Sequence, residues 1–301
     1  MIAPDWIAVD WGTSNLRVWA MGASGVLAEA ASNRGMGTLQ RDQFEGALLE
    51  LIEPWLVAGR VTTVIAAGMG GARQGWREAP YAKVPTIPLQ RGLMVSPTCD
   101  ARMCVHICHG LSQVKPADVM RGEETQIAGL LALDPRFDGV VCLPGTHTKW
   151  AEISAGEVCS FVSVMTGELF SLLSKQSVLR HSMAAEGFDQ TAFIEALNAA
   201  LTQPQSIATR LFPLRAEGLV GELSPVVARS RLSGLLIGIE LAATKHWWLG
   251  RQIAIVGTHS LAQTYAKALT HVGAKPKILD GNDVTLAGLK AAYEAVRSGQ
   301  N

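Results

Sequence analysis

Apolar positions recur along this chain in two periods, short continuous or alternating runs and the three-to-four spacing of amphipathic helices. Residues 7–9 form an apolar run that ends at Asp10. Trp11-Gly12-Thr13-Ser14-Asn15 is turn-rich and residues 16–20 read as a second strand, so the segment predicts a β-hairpin with glycine near its tip. Residues 26–31 read as a third strand, residues 44–56 as a helix with Leu48, Leu51, Ile52 and Trp55 on one face, and residues 61–67 as a β-branched strand. A helix is expected from Gly122 to about Leu133, then a strand–turn–strand unit over 140–153 and a strand over 161–165. Thr166 is a plausible N-cap for a helix carrying Leu169, Leu172 and Leu173. Helices follow over 193–201, 208–212 and 224–243, the last with Leu232, Leu235, Leu236 and Ile239 at core spacing. The chain closes with a strand over 253–256, a helix to about Leu269, and a helix opened by Gly281-Asn282-Asp283 with Leu286, Leu289, Tyr293 and Val296 on one face.

Two segments carry chemistry that core packing does not require. A carboxylate at the end of the first strand is costly to bury without a partner. Beside Asp10, the Trp11, Gly12 and Thr13 amides and the Thr13 and Ser14 hydroxyls could face one small anion. An acid next to such a nest makes sense with a divalent cation between them, as at a metal–nucleotide site; the plain alternative is a hairpin with a turn aspartate. The second segment is Gly68-Met69-Gly70-Gly71-Ala72-Arg73-Gln74-Gly75-Trp76-Arg77-Glu78-Ala79-Pro80-Tyr81, just past a strand end, where open α/β sheets place ligands. It lacks the third glycine of a dinucleotide fingerprint, and the chain has no Gly-Lys-Ser/Thr element of a P-loop. As a substrate loop it offers Arg73 for a carboxylate, Trp76 and Tyr81 as walls, and Gln74 and Glu78 for hydroxyls, with Arg121, outside the loop, as the alternative cation for that carboxylate. The alternative is a solvated loop with Arg–Glu pairs.

Composition narrows the function classes. The 301 residues are 48% hydrophobic and 17% charged with formal net charge +0, enough chain for two domains and without the electrostatic footprint of a nucleic-acid or anionic-membrane binder. No signal peptide and no bilayer-spanning run are expected. Five cysteines without a framework fit a reducing cytoplasm. Cys104-Val105-His106-Ile107-Cys108-His109 matches neither a zinc nor a haem spacing and alternates as a strand.

The first hairpin resembles the first phosphate motif of the actin-like ATPase superfamily, which includes hexokinases, glycerol kinase and Hsp70. Leu143-Pro144-Gly145-Thr146-His147-Thr148-Lys149-Trp150 echoes it as a second strand, Gly-Thr turn and strand, and Arg121-Gly122-Glu123-Glu124-Thr125-Gln126 precedes it at a helix start. Val256-Gly257-Thr258 resembles the adenosine motif, with Thr258 where a second glycine is usual. Together with Gly75-Trp76, Glu78-Ala79-Pro80-Tyr81 and Met165-Thr166-Gly167-Glu168-Leu169-Phe170, these motifs resemble the 2-dehydro-3-deoxygalactonokinase family over most of the chain.

That resemblance implies an α/β fold of two RNase H-like domains of the sugar-kinase type with a cleft between them. It implies a substrate domain over 1–118 and a nucleotide domain over 119–301, with a final helix at about 283–298 packing back near the hinge. It further implies ATP and Mg²⁺, with Asp10 holding the metal through water, and Gly12, Thr13, Ser14, Gly145, Thr146 and His147 around the phosphates. Gly257 and Thr258 would lie against the adenosine. Glu123 or Glu124 would take the proton from the attacking hydroxyl; most of the superfamily has Asp there. The implied activity is ATP-dependent phosphorylation of the 6-hydroxyl of a 2-keto-3-deoxy sugar acid in galactonate breakdown. The residues alone reach a kinase of a small anionic hydroxylated substrate. A related sugar kinase and an actin- or Hsp70-like switch remain as alternatives, and a homodimer is a possible assembly.

Overall fold

The computed structural model describes residues 2–89 and 92–299. By their contacts these fall into two compact α/β units, one of residues 1–138, 153–161 and 281–301, the other of 139–152 and 162–280.

The first unit is built on β1 (Trp6–Trp11), β2 (Leu16–Gly22), β3 (Gly25–Ser32), α1 (Phe44–Ile52), β4 (Thr62–Gly68), β5 (Tyr81–Lys83), β6 (Met94–Ser96), β7 (Met103–Ile107), β8 (Gly110–Val114), β9 (Ala117–Met120) and α2 (Glu123–Leu133). Its main sheet has the order β3-β2-β1-β4-β7-β6, and β5-β8-β9 form a small second sheet. β1 runs antiparallel to β2 and parallel to β4, which runs parallel to β7. β1 is apolar apart from Asp10 near its end, because both of its faces are covered. Ile7 and Val9 join Phe44, Leu48 and Ile52 on one side, while Trp6 and Ala8 join Trp19 and Ile65 on the other.

The second unit contains β10 (Gly139–Leu143), β11 (Thr148–Ser154), β12 (Glu157–Val164), α3 (Thr166–Lys175), α4 (Gln190–Thr202), α5 (Ile207–Leu211), α6 (Pro213–Val220), α7 (Pro225–Ala243), α8 (Lys245–Trp248), β13 (Ile253–Gly257), α9 (His259–His271) and β14 (Lys277–Asp280). The tip of the β11–β12 hairpin counts with the first unit. The sheet order is β12-β11-β10-β13-β14, and β13 lies parallel between β10 and β14. It repeats the β3-β2-β1-β4-β7 order of the first unit. That repeat matches the two homologous halves suggested by the echoing hairpins and the two RNase H-like domains implied by the family resemblance.

The last helix, α10 (Gly281–Arg297), returns to the first unit. Tyr293 stacks on Trp6 with ring centroids 4.6 Å apart and planes 9° from parallel. α10 also crosses α2 closely, since a Cβ on Gly129 would lie 1.8 Å from the Val284 carbonyl oxygen. The compact units therefore depart from the 1–118 and 119–301 division read from the sequence. α2 follows α10 into the first unit, and the second unit begins at Gly139.

Two local expectations change for physical reasons. The helix expected over 44–56 stops at Ile52 and tightens into a 3₁₀ turn at Glu53–Trp55, where Pro54 cannot continue it. Thr166 is the first helical residue of α3 and not its cap, because its hydroxyl donates to Glu240 instead. Among the described residues no helix is long and apolar enough to cross a membrane.

Candidate active site

In the first unit, parallel strands β1 and β4 end side by side, with Asp10 level with Ala67 and Trp11 level with Gly68. Asp10 is held from across the hairpin. Arg17 donates to its Oδ2 from Nη2 at 2.5 Å and from Nε at 3.2 Å, and Arg17 Nη1 also donates to Asn282 Oδ1. The Asp10 side chain stays 22% exposed. Gly68 and Gly122 both have positive φ, +84° and +105°, where a side chain is strained. They let the elements meet, because a Cβ on Gly122 would lie 3.3 Å from Gly68 Cα and a Cβ on Gly68 would lie 3.6 Å from Asp10 Oδ1. Asp10 and the start of α2 thus flank the same glycine.

α2 opens with the two acids, and the fold treats them differently. Glu123 is half-buried and its Oε2 accepts the Arg121 amide at 3.0 Å. Glu124 is wholly buried; its Oε2 accepts the Gly122 amide at 2.7 Å and its Oε1 accepts the Thr125 hydroxyl at 3.2 Å. Burial, reinforced by the neighbouring Glu123 charge, pushes the Glu124 carboxyl up to about 8.

The first turn is less open than the sequence implies. The Gly12 amide donates to the Asn15 carbonyl at 2.8 Å, so it closes the turn and does not face a ligand. The Gly12 and Thr13 carbonyls accept the Met36 and Gly37 amides, at 3.0 and 2.8 Å. Thr13 and Ser14 are exposed at the tip.

In the loop past β4, Arg73, Gln74 and Glu78 are exposed. Trp76, expected as a wall, is only 9% exposed and packs edge-on against Trp11, centroids 6.1 Å apart, so it anchors the loop to the core. The loop backbone is held by Arg41, whose Nη2 donates to the Arg73 carbonyl at 2.6 Å. Tyr81 covers the Arg121 guanidinium at 4.3 Å, and Arg121 Nη2 donates to the Ala79 carbonyl at 2.7 Å. The remaining Arg121 nitrogens, Nε and Nη1, are buried without a hydrogen-bond partner among the described residues, and Nη1 lies at the foot of the loop beside Gly71.

In the second unit, the turn after β10 presents Gly145, Thr146 and His147, with Thr146 and His147 exposed. The start of α3 clamps it. The Thr146 carbonyl accepts the Glu168 amide at 2.8 Å, and His147 Nε2 meets Glu168 Oε2 at 2.6 Å. Lys149, on the strand that follows, is buried and donates to Ser163 Oγ. A cavity of about 420 Å³ opens beside this turn, walled by Phe170, Phe188, Leu236 and Ile237, with Ser233 and Ser260 among its hydroxyls. Gly145 and Thr146 line it. Gly257 backs onto Pro144, and Thr258 precedes α9; the cavity is bounded by the next residues, Ser260 and Leu261.

Glu168 stood in the sequence only as part of the 165–170 motif, without a role, and Arg41 and Glu240 were not singled out there. For Glu240 a signal existed, since it is the lone charge in the apolar stretch 232–243. Cys104 Sγ lies 3.5 Å from His106 Nε2, and among the described residues no group of three or more His, Cys, Asp or Glu is placed to hold a metal ion.

A family model described as 2-keto-3-deoxy-galactonokinase matches residues 10–292. The chain is 36% identical over 296 residues to a Rhizobium meliloti (strain 1021) protein named as a probable 2-dehydro-3-deoxygalactonokinase, covering 96% of each chain. It is 33% identical over 294 residues to an Escherichia coli (strain K12) protein named 2-dehydro-3-deoxygalactonokinase, covering 97% of this chain and 98% of the relative. A crystal structure from Sinorhizobium meliloti that provisionally bears the same enzyme name superposes with a TM-score of 0.88 at 35% identity, covering 97% and 96% of the two chains.

Proposed function

The chain belongs to the 2-keto-3-deoxy-galactonokinase family, and on that premise we propose that it transfers the γ-phosphoryl group of ATP to the 6-hydroxyl of 2-dehydro-3-deoxy-D-galactonate, in galactonate catabolism. The observation that carries the reading is the meeting of Asp10 and the Glu123 end of α2 at Gly68, which supplies a polar anchor and a proton acceptor at one sheet edge.

The sugar acid is assigned to the first unit. Its carboxylate goes to Arg121, whose Nε and Nη1 are buried without partners among the described residues; a carboxylate satisfies such donors, and an unsatisfied buried donor is costly. Exposed Arg73, Gln74 and Glu78 close over it from the loop. Glu123 is the base. It takes the proton of the 6-hydroxyl as that oxygen bonds to the γ-phosphorus, the bond to the bridging oxygen breaks, and ADP leaves. Glu124 starts protonated at neutral pH and is enclosed, so its part is to hold the helix start. ATP is assigned to the second unit, with its phosphates at Gly145, Thr146 and His147 and its nucleoside in the cavity beside them. Thr13 and Ser14, exposed at the tip of the first turn, are hydroxyls available to a phosphate.

Mg²⁺ fits the donors present as an ion that arrives with the nucleotide. Magnesium is usually held by one or two carboxylates plus phosphate oxygens and water. Asp10 matches that demand, with Oδ2 engaged by Arg17 and Oδ1 turned toward Gly68. When bound, the ion neutralises charge developing on the β- and γ-phosphates.

The test is a panel of sugar acids and neutral sugars with ATP, followed by ADP release. Turnover that depends on a 2-keto-3-deoxy sugar acid supports the reading. Preference for a neutral sugar moves the chain to another sugar kinase activity, and ATP hydrolysis indifferent to added substrate favours a nucleotide switch.

A further inference from the structure

Beneath the cavity of the second unit lies an acid with no place in the reaction above. Glu240, on α7, is 1% exposed. Three donors from three elements converge on it. Trp150 Nε1 of β11 donates to Oε1 at 2.8 Å, Tyr265 of α9 donates to Oε2 at 2.7 Å, and the Thr166 hydroxyl at the start of α3 donates to Oε2. Thr148 of β11 completes the set at 2.8 Å from the Tyr265 hydroxyl. Burial pushes the carboxyl upward while these donors pull it back, an arrangement in which both oxygens act as acceptors. A buried carboxylate is a poor way to gain stability, because a well-packed apolar side chain of similar volume serves as well or better. What the acid supplies is geometry.

That geometry leads to the phosphate turn. Thr166 and Tyr265 line the cavity. The residue after Thr166 is Gly167, which packs so closely on the turn that a Cβ there would lie 2.1 Å from the Gly145 carbonyl oxygen. The next residue, Glu168, holds the Thr146 carbonyl through its amide and His147 through its side chain. The start of α3 has no side-chain cap, so the Thr166–Glu240 hydrogen bond is a specific tether on its position.

We propose that Glu240 is a positioning residue for the phosphoryl donor: through Thr166 it sets the start of α3 against the 145–147 turn and so shapes the nucleotide site. The inference rests on assigning the nucleotide to this cavity, and the experiment separates the two. Steady-state kinetics vary ATP at saturating sugar acid and the reverse, with ADP binding measured by calorimetry. The variants are Thr166→Val, Thr166→Ser, Glu240→Gln, the Thr166→Val/Glu240→Gln double, and Ser233→Trp to fill the cavity.

Thr166→Val and Glu240→Gln should each raise the KM for ATP and the Kd for ADP by about tenfold, leaving the sugar-acid KM within about twofold. Thr166→Ser, which keeps the hydroxyl, should restore wild-type values. The double variant should be no worse than the more severe single, because the two residues act as one unit. A purely structural role would lower the melting temperature and the active fraction while both KM values stay put, and that result overturns the inference. Should Glu240→Gln fail to fold, the valine–serine contrast at Thr166 still decides. Ser233→Trp that raises the ATP KM beside a silent Thr166→Val overturns the positioning role alone. Ser233→Trp without effect on ATP overturns the nucleotide assignment and the inference with it.

Discussion

Glu124→Gln exchanges a carboxyl that burial holds protonated for an amide of nearly the same shape. The amide oxygen can still accept the Gly122 amide, and its NH₂ can donate to the Thr125 hydroxyl. In the unfolded chain the carboxyl has its ordinary value of 4.5, and in the folded chain it sits at about 8. Between those values the unfolded chain gives up the proton while the folded chain keeps it. The stabilising contribution of the protonated group is therefore complete below pH 4.5 and is lost as the pH rises to about 8. At about 1.4 kcal/mol per unit, the excursion is on the order of 4–5 kcal/mol. The glutamine variant does not titrate, so its stability advantage over wild type should grow by that order between pH 5 and pH 9. Thermal melting reads this as a gap between the two proteins that widens by several degrees across the range. The same logic fixes the kinetics: Glu124→Gln should keep kcat within about tenfold, while Glu123→Gln should lose about two to four orders of magnitude. A melting gap that does not change from pH 5 to pH 9 would mean that Glu124 is ionised in the fold. The choice of Glu123 as base would then lose its ground.

Asp10→Asn should lower kcat by more than about a hundredfold with little change in melting temperature; a loss within about tenfold, only about 1.4 kcal/mol of barrier, removes the metal role. Arg121→Lys should raise the sugar-acid KM by at least about thirtyfold with the ATP KM nearly unchanged, because an ammonium cannot reproduce two fixed N–H donors. Arg73→Lys should have the smaller effect, and the reverse order would return the carboxylate to the exposed loop. Gly129→Ala should lower the melting temperature, at a cost of about 1–3 kcal/mol, since its Cβ meets the Val284 carbonyl and must part α2 from α10.

The two halves of the fold were legible because each opens with the same local pattern, an apolar strand broken by a Gly-Thr turn. The short strands β5, β6, β8 and β9 were not, because three to five residues of mixed exposure carry too little periodicity. The unit boundary was hidden for a different reason. It depends on α10 packing against β1 and α2, contacts between opposite ends of the chain. At the site, the acid ending β1 and the paired acids of α2 were visible as residue types. Which glutamate is enclosed was not, because successive helix positions point about 100° apart and only the docking of α2 decides which is inward. Trp76 stands among Gln74, Arg77 and Glu78, polar neighbours that disguise a side chain turned into the core. Thr166 has the composition of an N-cap, but its partner lies 74 residues away.

The central claim, phosphoryl transfer from ATP to the primary hydroxyl of a 2-keto-3-deoxy sugar acid, is tested most directly by identifying the product. Wild-type protein is incubated with 2-dehydro-3-deoxy-D-galactonate, ATP and Mg²⁺, and the product is followed by ³¹P and ¹³C NMR. The account predicts a new phosphate monoester coupled to C6, formed in step with ADP. Release of inorganic phosphate without a sugar ester, or an ester at another carbon, would contradict it.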